Sequence, residues 1–319
     1  MNIKAMSDNH GYLPDPSSIG KCDVLCICGD IMPLSIQRNF YASVLWYTNH
    51  FRNWVNKLNC KKVILTPGNH DFFFEMLEKI IAYKDNQENE YGWVLDVKTL
   101  NHITKRDRSD KIVYLVDELY VYKGVTFYGT PYVSSLKNWA FYRSDVELKQ
   151  KFNMIPEKVD VLLTHQPPKL NDCGLVKQTD AFNYLSDFGS DILADAIMKR
   201  DIKWALSGHV HSGSHVSKKV NNTNIVNVSL KDENYKVSYD LFEFDIHCDT
   251  HNPDCEPHMY VARNPSSQLW LFDCQPWKDE NDDWDSFGNC MPLDENLFPN
   301  VTCDDKPLEV VVKEFTDGD

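Results

Sequence analysis

The amino-acid sequence predicts an α/β fold. In the first part of the chain, apolar strand-like segments alternate with segments of helical periodicity, as expected where helices cover the faces of a sheet. Short polar motifs follow directly after five of the predicted strands, where an open sheet presents side chains to a ligand. From Ile112 onward, strands follow one another more directly, which indicates a second and more antiparallel sheet.

Each polar motif follows a run of apolar residues. The pairs are Ile3–Met6 with Asp8 and His10, Asp23–Cys28 with Asp30, Lys62–Leu65 with Asn69 and His70, Val159–Leu163 with His165, and Lys203–Leu206 with His209 and His211. Because the carboxyl ends of parallel strands meet at one edge of a sheet, these side chains are expected to converge on one site.

Three helices and five later strands complete the prediction. Apolar residues at helical spacing predict helices over Ser35 to Asn59, Phe72 to Tyr83 and Asp191 to Arg200. The later strands are predicted at Ile112 to Val116, Tyr120 to Tyr128, His215 to Val220, Asn224 to Leu230 and Asp240 to Ile246. A second, more antiparallel sheet would explain these five strands.

Charge separates the chain into two parts. Residues 247–319 hold 17 acidic residues against 4 basic ones, whereas residues 1–246 hold 30 against 29. Motifs from Asp8 to His211 must meet at one site, so residues 1–246 are predicted to form one domain. Residues 247–319 are expected to form an acidic extension that contains Cys and Trp residues and packs partly on that domain, with short strands at Gln268 to Asp273 and Leu308 to Val312.

The charge distribution and hydropathy also bear on partners. A nearly neutral domain lacks the attraction for the phosphate backbone that a processive nuclease uses, so duplex nucleic acid is disfavoured and a small anionic substrate is favoured. No apolar run is long enough to span a bilayer, and no amino-terminal signal pattern is present. We therefore expect a cytoplasmic protein that does not bind or span a membrane.

The extension contains a dense group of Cys and His residues. Its members are His247, Cys248, His251, Cys255 and His258. Their spacing matches no zinc-finger pattern, so a structural zinc site and free thiols both remain open.

The residue types of the motifs suit a pair of divalent cations. Carboxylates, imidazoles and one amide form a mixed oxygen and nitrogen shell without Cys, which suits Mn²⁺, Fe, Zn²⁺ or, less well, Mg²⁺, and Mn²⁺ is expected to serve in vitro. Asp30 is the carboxylate able to bridge the pair. Two such cations about 3.5–4 Å apart lower the pKa of a bridging water and neutralise phosphoryl oxygens. The motifs therefore predict phosphoester hydrolysis by a bridging hydroxide.

The ordered set of motifs resembles the calcineurin-like metallophosphoesterases. That family shows D-x-H, G-D, G-N-H-[DE], H and G-H-x-H in this order, and its fold is a four-layer αββα sandwich of two mixed sheets. The resemblance implies that Asp8, His10 and His211 hold one metal ion, that Asn69, His165 and His209 hold the other, and that Asp30 bridges them. It covers roughly residues 1–246.

The resemblance also implies roles beyond metal binding. His70 would face the substrate with Asn69 and stabilise phosphoryl oxygens or protonate the leaving group, while Asp71 would orient the His70 ring.

Two roles remain open for Trp139 and Phe141. They form a wall of the substrate pocket, where Trp139 could stack on a base, or they belong to the hydrophobic core. In the second motif the family has G-D-x-x-[DE], whereas Pro33 stands at the position of that acid here.

Further motifs favour a diester substrate. They resemble the small metallophosphoesterase-domain branch, which includes proteins similar to class III cyclic-nucleotide phosphodiesterases: Tyr128–Pro131, Asn138–Phe141, Thr164–Pro168, Asn227–Ser229 and Asp232–Tyr235. Phosphoprotein phosphatases have R-G-N-H-E, and Pro67 replaces that arginine here. A small or nucleotide-type phosphodiester is therefore expected. A DNA nuclease, a phosphomonoesterase and a non-catalytic metal- or nucleotide-binding protein of the same fold are the alternatives.

Overall fold

Central strands of the first sheet are apolar along their whole length because both of their faces are covered. The strand Val24–Ile27 is buried at every position, which is typical of a parallel strand in a sheet with both faces covered. The computed structural model describes residues 1–85, 111–177, 185–246, 258–272, 276–278, 283–285 and 290–311. By contacts, the chain divides into one unit of Met1–Tyr120 and Thr126–His247 and a second unit of Val121–Val125 and Cys248–Asp319.

The first unit contains the following elements. Its helices are α1 (Pro16–Ile19), α2 (Phe40–Trp46), α3 (Arg52–Lys57), α4 (Phe72–Asp85), α5 (Asp145–Asn153) and α6 (Asp191–Met198). Its strands, including those that run into residues 121–125, are β1 (Asn2–Met6), β2 (Val24–Ile27), β3 (Lys62–Leu65), β4 (Ile112–Tyr114), β5 (Glu118–Tyr122), β6 (Val125–Thr130), β7 (Lys158–Thr164), β8 (Leu175–Lys177), β9 (Leu185–Asp187), β10 (Asp201–Ser207), β11 (Lys218–Val220), β12 (Thr223–Asn227) and β13 (Phe242–Asp245).

Two mixed sheets form the framework. The five-stranded sheet has the order β13-β1-β2-β3-β4, with β1 to β4 parallel and β13 antiparallel. The six-stranded sheet has the order β11-β12-β10-β7-β6-β5, with β12, β10, β7 and β6 parallel and β11 antiparallel. Helix α2 packs against α4, and α5 packs against α6, which in turn contacts β10. The predicted α/β fold with two mixed sheets is confirmed.

The prediction of a second, more antiparallel sheet holds for β11, which pairs antiparallel with β12, but not for all of the later strands. Strand β4 pairs with β3 and strand β13 with β1, so both belong to the first sheet. Strands β6, β7 and β10 are parallel neighbours because helices α5 and α6 carry the chain back between them. Helix α5 was not predicted, although Ser144 and Glu147 form a capping box at its start.

Turns and caps explain the other differences in element boundaries. The segment predicted as one strand over Tyr120 to Tyr128 is divided by Lys123 and Gly124, whose φ angles of 49° and 74° form a tight turn. The first long helix begins at Phe40, after Asn39 accepts a hydrogen bond from the backbone N–H of Ala42, and a π-helical turn joins α2 to α3.

The second unit is built from short antiparallel strands. These are β14 (His258–Arg263), β15 (Leu269–Phe272), β16 (Trp277–Lys278), β17 (Trp284–Asp285), β18 (Cys290–Leu293) and β19 (Leu308–Val311), with the sheet order β18-β15-β14-β19 and a separate β16-β17 pair. The strands predicted near residues 268–273 and 308–312 thus correspond to β15 and β19. The boundary near residue 246 and the packing of the extension on the domain stay predictions.

Two sequence features are limited by what the structure describes. The predicted group His247, Cys248, His251, Cys255 and His258 lies outside the described residues, except for the backbone of His258 in β14. Among the helices in the described part of the chain, none combines the length and apolar character needed to cross a bilayer.

Candidate metal centre

Loops that follow strands of both sheets bring the predicted motif residues together. Asp8, Asp30 and Asn69 lie just after β1, β2 and β3 of the five-stranded sheet, while His165 and His209 follow β7 and β10 of the six-stranded sheet. A backbone hydrogen bond joins the two sheets here, because the N–H of Leu230, after β12, donates to the carbonyl of Ser7, after β1. The candidate centre therefore lies where the two sheets meet.

The backbone at these loops is strained. Four non-glycine residues of the centre have left-handed φ angles: 54° at Asp8, 41° at His10, 56° at Asp30 and 67° at His209. Each such residue costs about 1–3 kcal/mol and persists only where its surroundings impose it, a combination that is concentrated at functional sites. The fold therefore tolerates a loss of stability at these residues, and the strained backbone directs their side chains toward the centre.

The first group of candidate ligands consists of Asp8, His10 and His211. Their ligand atoms all lie within 4.8 Å of one another, and all three side chains are buried. The His211 Nε2 atom is 3.5 Å from Asp8 Oδ1 and 3.4 Å from His10 Nε2. Ser229 donates a hydrogen bond of 2.7 Å to the second Asp8 oxygen, which fixes the carboxylate.

The tautomer of His211 shows which of its atoms is available to a cation. Its Nδ1 lies 2.9 Å from the carbonyl oxygen of Asp232 and must carry the proton to donate to it. In the neutral ring, Nε2 then presents a lone pair toward the carboxylate of Asp8. Two acceptors that face each other in a buried site require a cation between them, either a proton or a metal ion. The donor set fits a divalent cation.

The second group consists of Asn69, His165 and His209. The Asn69 Oδ1 atom lies 2.8 Å from His165 Nε2 and 2.8 Å from His209 Nδ1. The other nitrogen of His165, Nδ1, is 2.8 Å from the carbonyl oxygen of Cys28, so it carries the proton and Nε2 faces Asn69. This group therefore shows the same pattern of a backbone carbonyl that turns an imidazole lone pair inward.

Asp30 stands between the two groups. Its Oδ2 atom lies 3.9 Å from His10 Nε2 and 3.4 Å from His165 Nε2, so one oxygen faces a histidine of each group. Its Oδ1 atom accepts a 2.8 Å hydrogen bond from the backbone N–H of His70. Asp30 also belongs to two of the potential ligand groups among the described residues, one with His10 and His70 and one with Asp8 and His165.

Ionisation in the centre follows from burial and from the two carboxylates. Burial opposes a positive charge on His165 and His211, but Asp30 and Asp8 respectively outweigh it and raise each pKa to about 9. Burial lowers the pKa of His10 to about 4 and that of His209 to about 3. At neutral pH, His10 and His209 are therefore neutral and able to bind metal. His165 and His211 are protonated, and a metal ion must displace those protons.

His70 lies beside the two groups rather than within either trio. Its Nε2 is 3.8 Å from Asp30 Oδ2, and its ring centroid is 4.7 Å from that of His10. Its Nδ1 contacts Oε1 of Gln37 at 2.5 Å. The side chain is partly exposed, so it stands at the open side of the centre.

The predicted role of Asp71 is wrong. One Asp71 oxygen accepts hydrogen bonds of 2.8 Å from the backbone N–H groups of Asp30 and Gly68, and the other accepts one of 3.0 Å from Met32. Asp71 therefore braces the loop that carries Asp30 through three backbone donors, and among the contacts of the described residues none joins it to the His70 ring. Gln37 contacts the His70 ring instead.

The two candidate aromatic residues have different places. Phe141 is almost fully buried and belongs to the hydrophobic core. Trp139 is half-buried, and its ring centroid lies 4.3 Å from that of His70. Tyr235, at the end of the last of the diester-type motifs, lies 5.0 Å from the His10 ring and 5.1 Å from the His211 ring. Trp139 therefore lies beside His70, and Tyr235 lies beside the first ligand group.

Taken together, the fold and this centre define an α/β protein with a buried candidate site for divalent cations. The family profile described as calcineurin-like phosphoesterase matches residues 1–213. The chain therefore belongs to the calcineurin-like phosphoesterase family, and the predicted family is confirmed.

Curated relatives are similar to the first part of the chain. A UPF0046 protein of Caenorhabditis elegans is 28% identical over 246 residues, which cover 74% of this chain and 58% of that protein. Metallophosphoesterase domain-containing protein 1 of Homo sapiens is 27% identical over 234 residues, covering 72% of this chain and 66% of its own length. The similarity thus spans somewhat less than two thirds of each of these relatives.

Among solved structures, a phosphopantetheinyl hydrolase from Mycobacterium tuberculosis matches at 13% identity with a TM-score of 0.43, over 79% of this chain and 96% of that one.

Proposed function

We propose that this protein is a dinuclear metal-dependent phosphodiesterase that hydrolyses a small or nucleotide-type diester. In this proposal Asp8, His10 and His211 hold one cation, Asn69, His165 and His209 hold the other, and Asp30 bridges them. The observation that carries the proposal is the position of Asp30, because its Oδ2 atom faces His10 at 3.9 Å and His165 at 3.4 Å. A carboxylate shared by two buried imidazole groups is suited to bridging a metal pair.

The donor set favours the metals that accept both oxygen and nitrogen ligands. The seven proposed ligands are carboxylates, imidazoles and one amide oxygen, which suits Mn²⁺, Fe or Zn²⁺ better than Mg²⁺. When bound, two such cations supply charge neutralisation for phosphoryl oxygens and a lowered pKa for water. Mn²⁺ is the ion we propose for activity in vitro.

His70 is the protein group proposed to act on the substrate. Its Nδ1 is engaged by Gln37, so its Nε2 is the atom directed toward the centre, 3.8 Å from Asp30 Oδ2. Burial lowers the pKa of His70, so the neutral ring predominates at neutral pH. From this position, Nε2 of the neutral ring can accept a proton, and the imidazolium so formed can then donate that proton to a phosphoryl or leaving oxygen.

The absence of arginine from the motif position before Gly68 supports a diester rather than a monoester. A monoester dianion gains a charge-assisted clamp from arginine, worth about 1.5–3 kcal/mol. In this chain Pro67 occupies the corresponding motif position, and the preceding Thr66 is buried with its hydroxyl donated to the carbonyl of Leu115. A monoanionic diester loses less from the absence of a guanidinium at this position.

The test compares two substrates on the Mn²⁺-loaded protein. Turnover of bis(p-nitrophenyl) phosphate and of p-nitrophenyl phosphate is measured by release of p-nitrophenol, with the metal-stripped protein as the blank. We expect a higher kcat/KM for the diester. A higher value for the monoester would make the protein a phosphatase, and turnover of neither ester would contradict the proposal for this class of substrate.

A further inference from the structure

A pocket of about 230 Å³ lies next to His70. Its lining comes from the segment that leads into α2 and from the first two turns of α4, and it includes Gln37, Arg38, Phe40, Phe72, Phe73 and Met76. We call it the α2–α4 pocket. No proposed metal ligand lines it, so it is separate from the candidate metal centre.

Two contacts connect the α2–α4 pocket with the proposed substrate side of the centre. Gln37, which lines the pocket, contacts Nδ1 of His70 through its amide oxygen. The Trp139 ring lies 4.3 Å from His70 and 5.9 Å from Phe72, so it stands between the centre and the pocket wall. A ligand that contacts His70 is therefore separated from this pocket by a single side chain, that of Gln37 or Trp139.

The lining presents flat and apolar surfaces. The Phe40 and Phe73 rings are 5.7 Å apart, and Phe72 is only partly buried. The Arg38 guanidinium carbon lies 4.3 Å from the centroid of Phe72 and 5.0 Å from that of Trp139, so the planar cation is held against two aromatic rings. Such a combination recognises a planar aromatic group by stacking and by cation–π attraction.

Charge and size restrict the occupant further. Lys79 at the pocket is paired with Glu75 at 3.0 Å, and Arg143 also approaches Glu75, at 3.7 Å, so one carboxylate faces two cations. With Arg38, the lining is net positive and disfavours a cationic arm. The volume is smaller than the roughly 300–1,000 Å³ of pockets that enclose a complete ligand. The pocket therefore fits one arm of a ligand whose phosphate lies elsewhere.

We propose that the α2–α4 pocket binds an aromatic arm of the diester, an aryl ring or a nucleobase, with Arg38 and Phe72 as the residues that determine this preference. The inference rests on the proposed function, because it places the phosphate of the same ligand at the metal centre. It assigns substrate selection to the segment that leads into α2 and to the start of α4.

The experiment measures binding of two diesters to the Mn²⁺-loaded chain by calorimetry. Diphenyl phosphate carries aromatic arms, whereas diethyl phosphate has the same charge and no ring. We expect diphenyl phosphate to bind at least about tenfold more tightly, the affinity that stacking on an aromatic wall provides. Arg38→Ala and Phe72→Leu should each reduce the ratio of the two affinities about fivefold.

Tyr41→Ala is the matched control. Tyr41 is an exposed aromatic residue next to Phe40 and does not line the pocket, so its replacement should leave the affinity ratio unchanged. Arg38 is exposed, and its variant is therefore expected to fold even if the Phe72 variant does not. Equal binding of the two esters by a protein that hydrolyses bis(p-nitrophenyl) phosphate would overturn the pocket assignment alone. Absence of both binding and turnover would overturn the proposed function as well.

Discussion

The amide oxygen of Gln37 lies 2.5 Å from Nδ1 of His70. Because an amide oxygen only accepts hydrogen bonds, this contact places the proton on Nδ1 and leaves Nε2 free to face the centre. Gln37 stands four residues beyond Pro33, which occupies the motif position where most of the family has an acid. A neutral amide thus positions the His70 ring in this chain.

Replacing Gln37 should slow turnover without removing metal. We expect Gln37→Ala to lower kcat toward bis(p-nitrophenyl) phosphate about 2- to 10-fold, because one hydrogen bond that orients the ring is lost. The Mn²⁺ content should stay the same, since Gln37 contacts His70 and is not among the proposed ligands. Gln37→Glu keeps an acceptor and should recover most of the lost kcat. An Ala variant as fast as the unmodified protein would show that this contact has no positioning role.

Removing the His70 ring should separate catalysis from metal binding. His70→Ala is expected to slow turnover about 10²- to 10⁴-fold, the usual contribution of a positioned acid or base. His50→Ala serves as the control, because His50 is an exposed histidine on the π-helical turn between α2 and α3. Metal analysis should find the same Mn²⁺ content in both variants. Near-normal turnover by His70→Ala would remove this residue from the mechanism.

Metal affinity should rise with pH between about 7 and 9. His165 and His211 each have a pKa of about 9 in the metal-free protein, so both are protonated at pH 7 and must lose a proton before their nitrogens bind metal. Raising the pH removes this competing proton and therefore strengthens binding. Calorimetric titration with Mn²⁺ in buffers of different ionisation enthalpy measures the protons released. Affinity that stays constant over this range would contradict the assignment of these two ligands.

A methyl group at Gly68 should damage the centre without a change of charge. A Cβ atom there would collide with the Asp30 carboxylate and would lie 2.6 Å from Cε1 of His165. We expect Gly68→Ala to lower Mn²⁺ affinity at least about tenfold, because Asp30 must move. In the control Gly20→Ala, the nearest atom is Nζ of Lys4 at 3.7 Å. That variant should lose some stability through its left-handed backbone but keep its metal affinity. Equal affinities in the two variants would contradict the geometry described for Asp30.

The amino-acid sequence alone was sufficient to predict which side chains meet. Strand ends are readable from apolar runs, and residues that follow parallel strands must share an edge, so Asp8, Asp30 and Asn69 could be placed together. The same argument placed His165 and His209 with each other, but they follow strands of the other sheet, so their approach to the first three depends on how the two sheets pack. Periodicity also identified the helices, with errors mainly at their ends, where a cap such as Asn39 decides the first helical residue.

Contacts that depend on tertiary packing could not be predicted. Gln37 lies in a segment that reads as the solvent-facing side of a helix, and nothing in its local pattern indicates that it reaches His70. Asp71 was assigned to His70 because the two are adjacent in a motif, whereas its oxygens are used by backbone donors from other turns. Sheet membership of β13 was missed for the same reason, since its pairing with β1 joins residues more than 200 positions apart.

Bridging of two cations by Asp30 is the core of the proposed function, and electron paramagnetic resonance of the Mn²⁺-loaded protein tests it most directly. We predict two Mn²⁺ ions per chain with an exchange-coupled spectrum, and loss of that coupling in Asp30→Asn. Asp195→Asn, which changes an exposed carboxylate on α6, should leave the spectrum unchanged. A single Mn²⁺ ion per chain, or a coupled pair that survives in Asp30→Asn, would contradict the bridging role of Asp30.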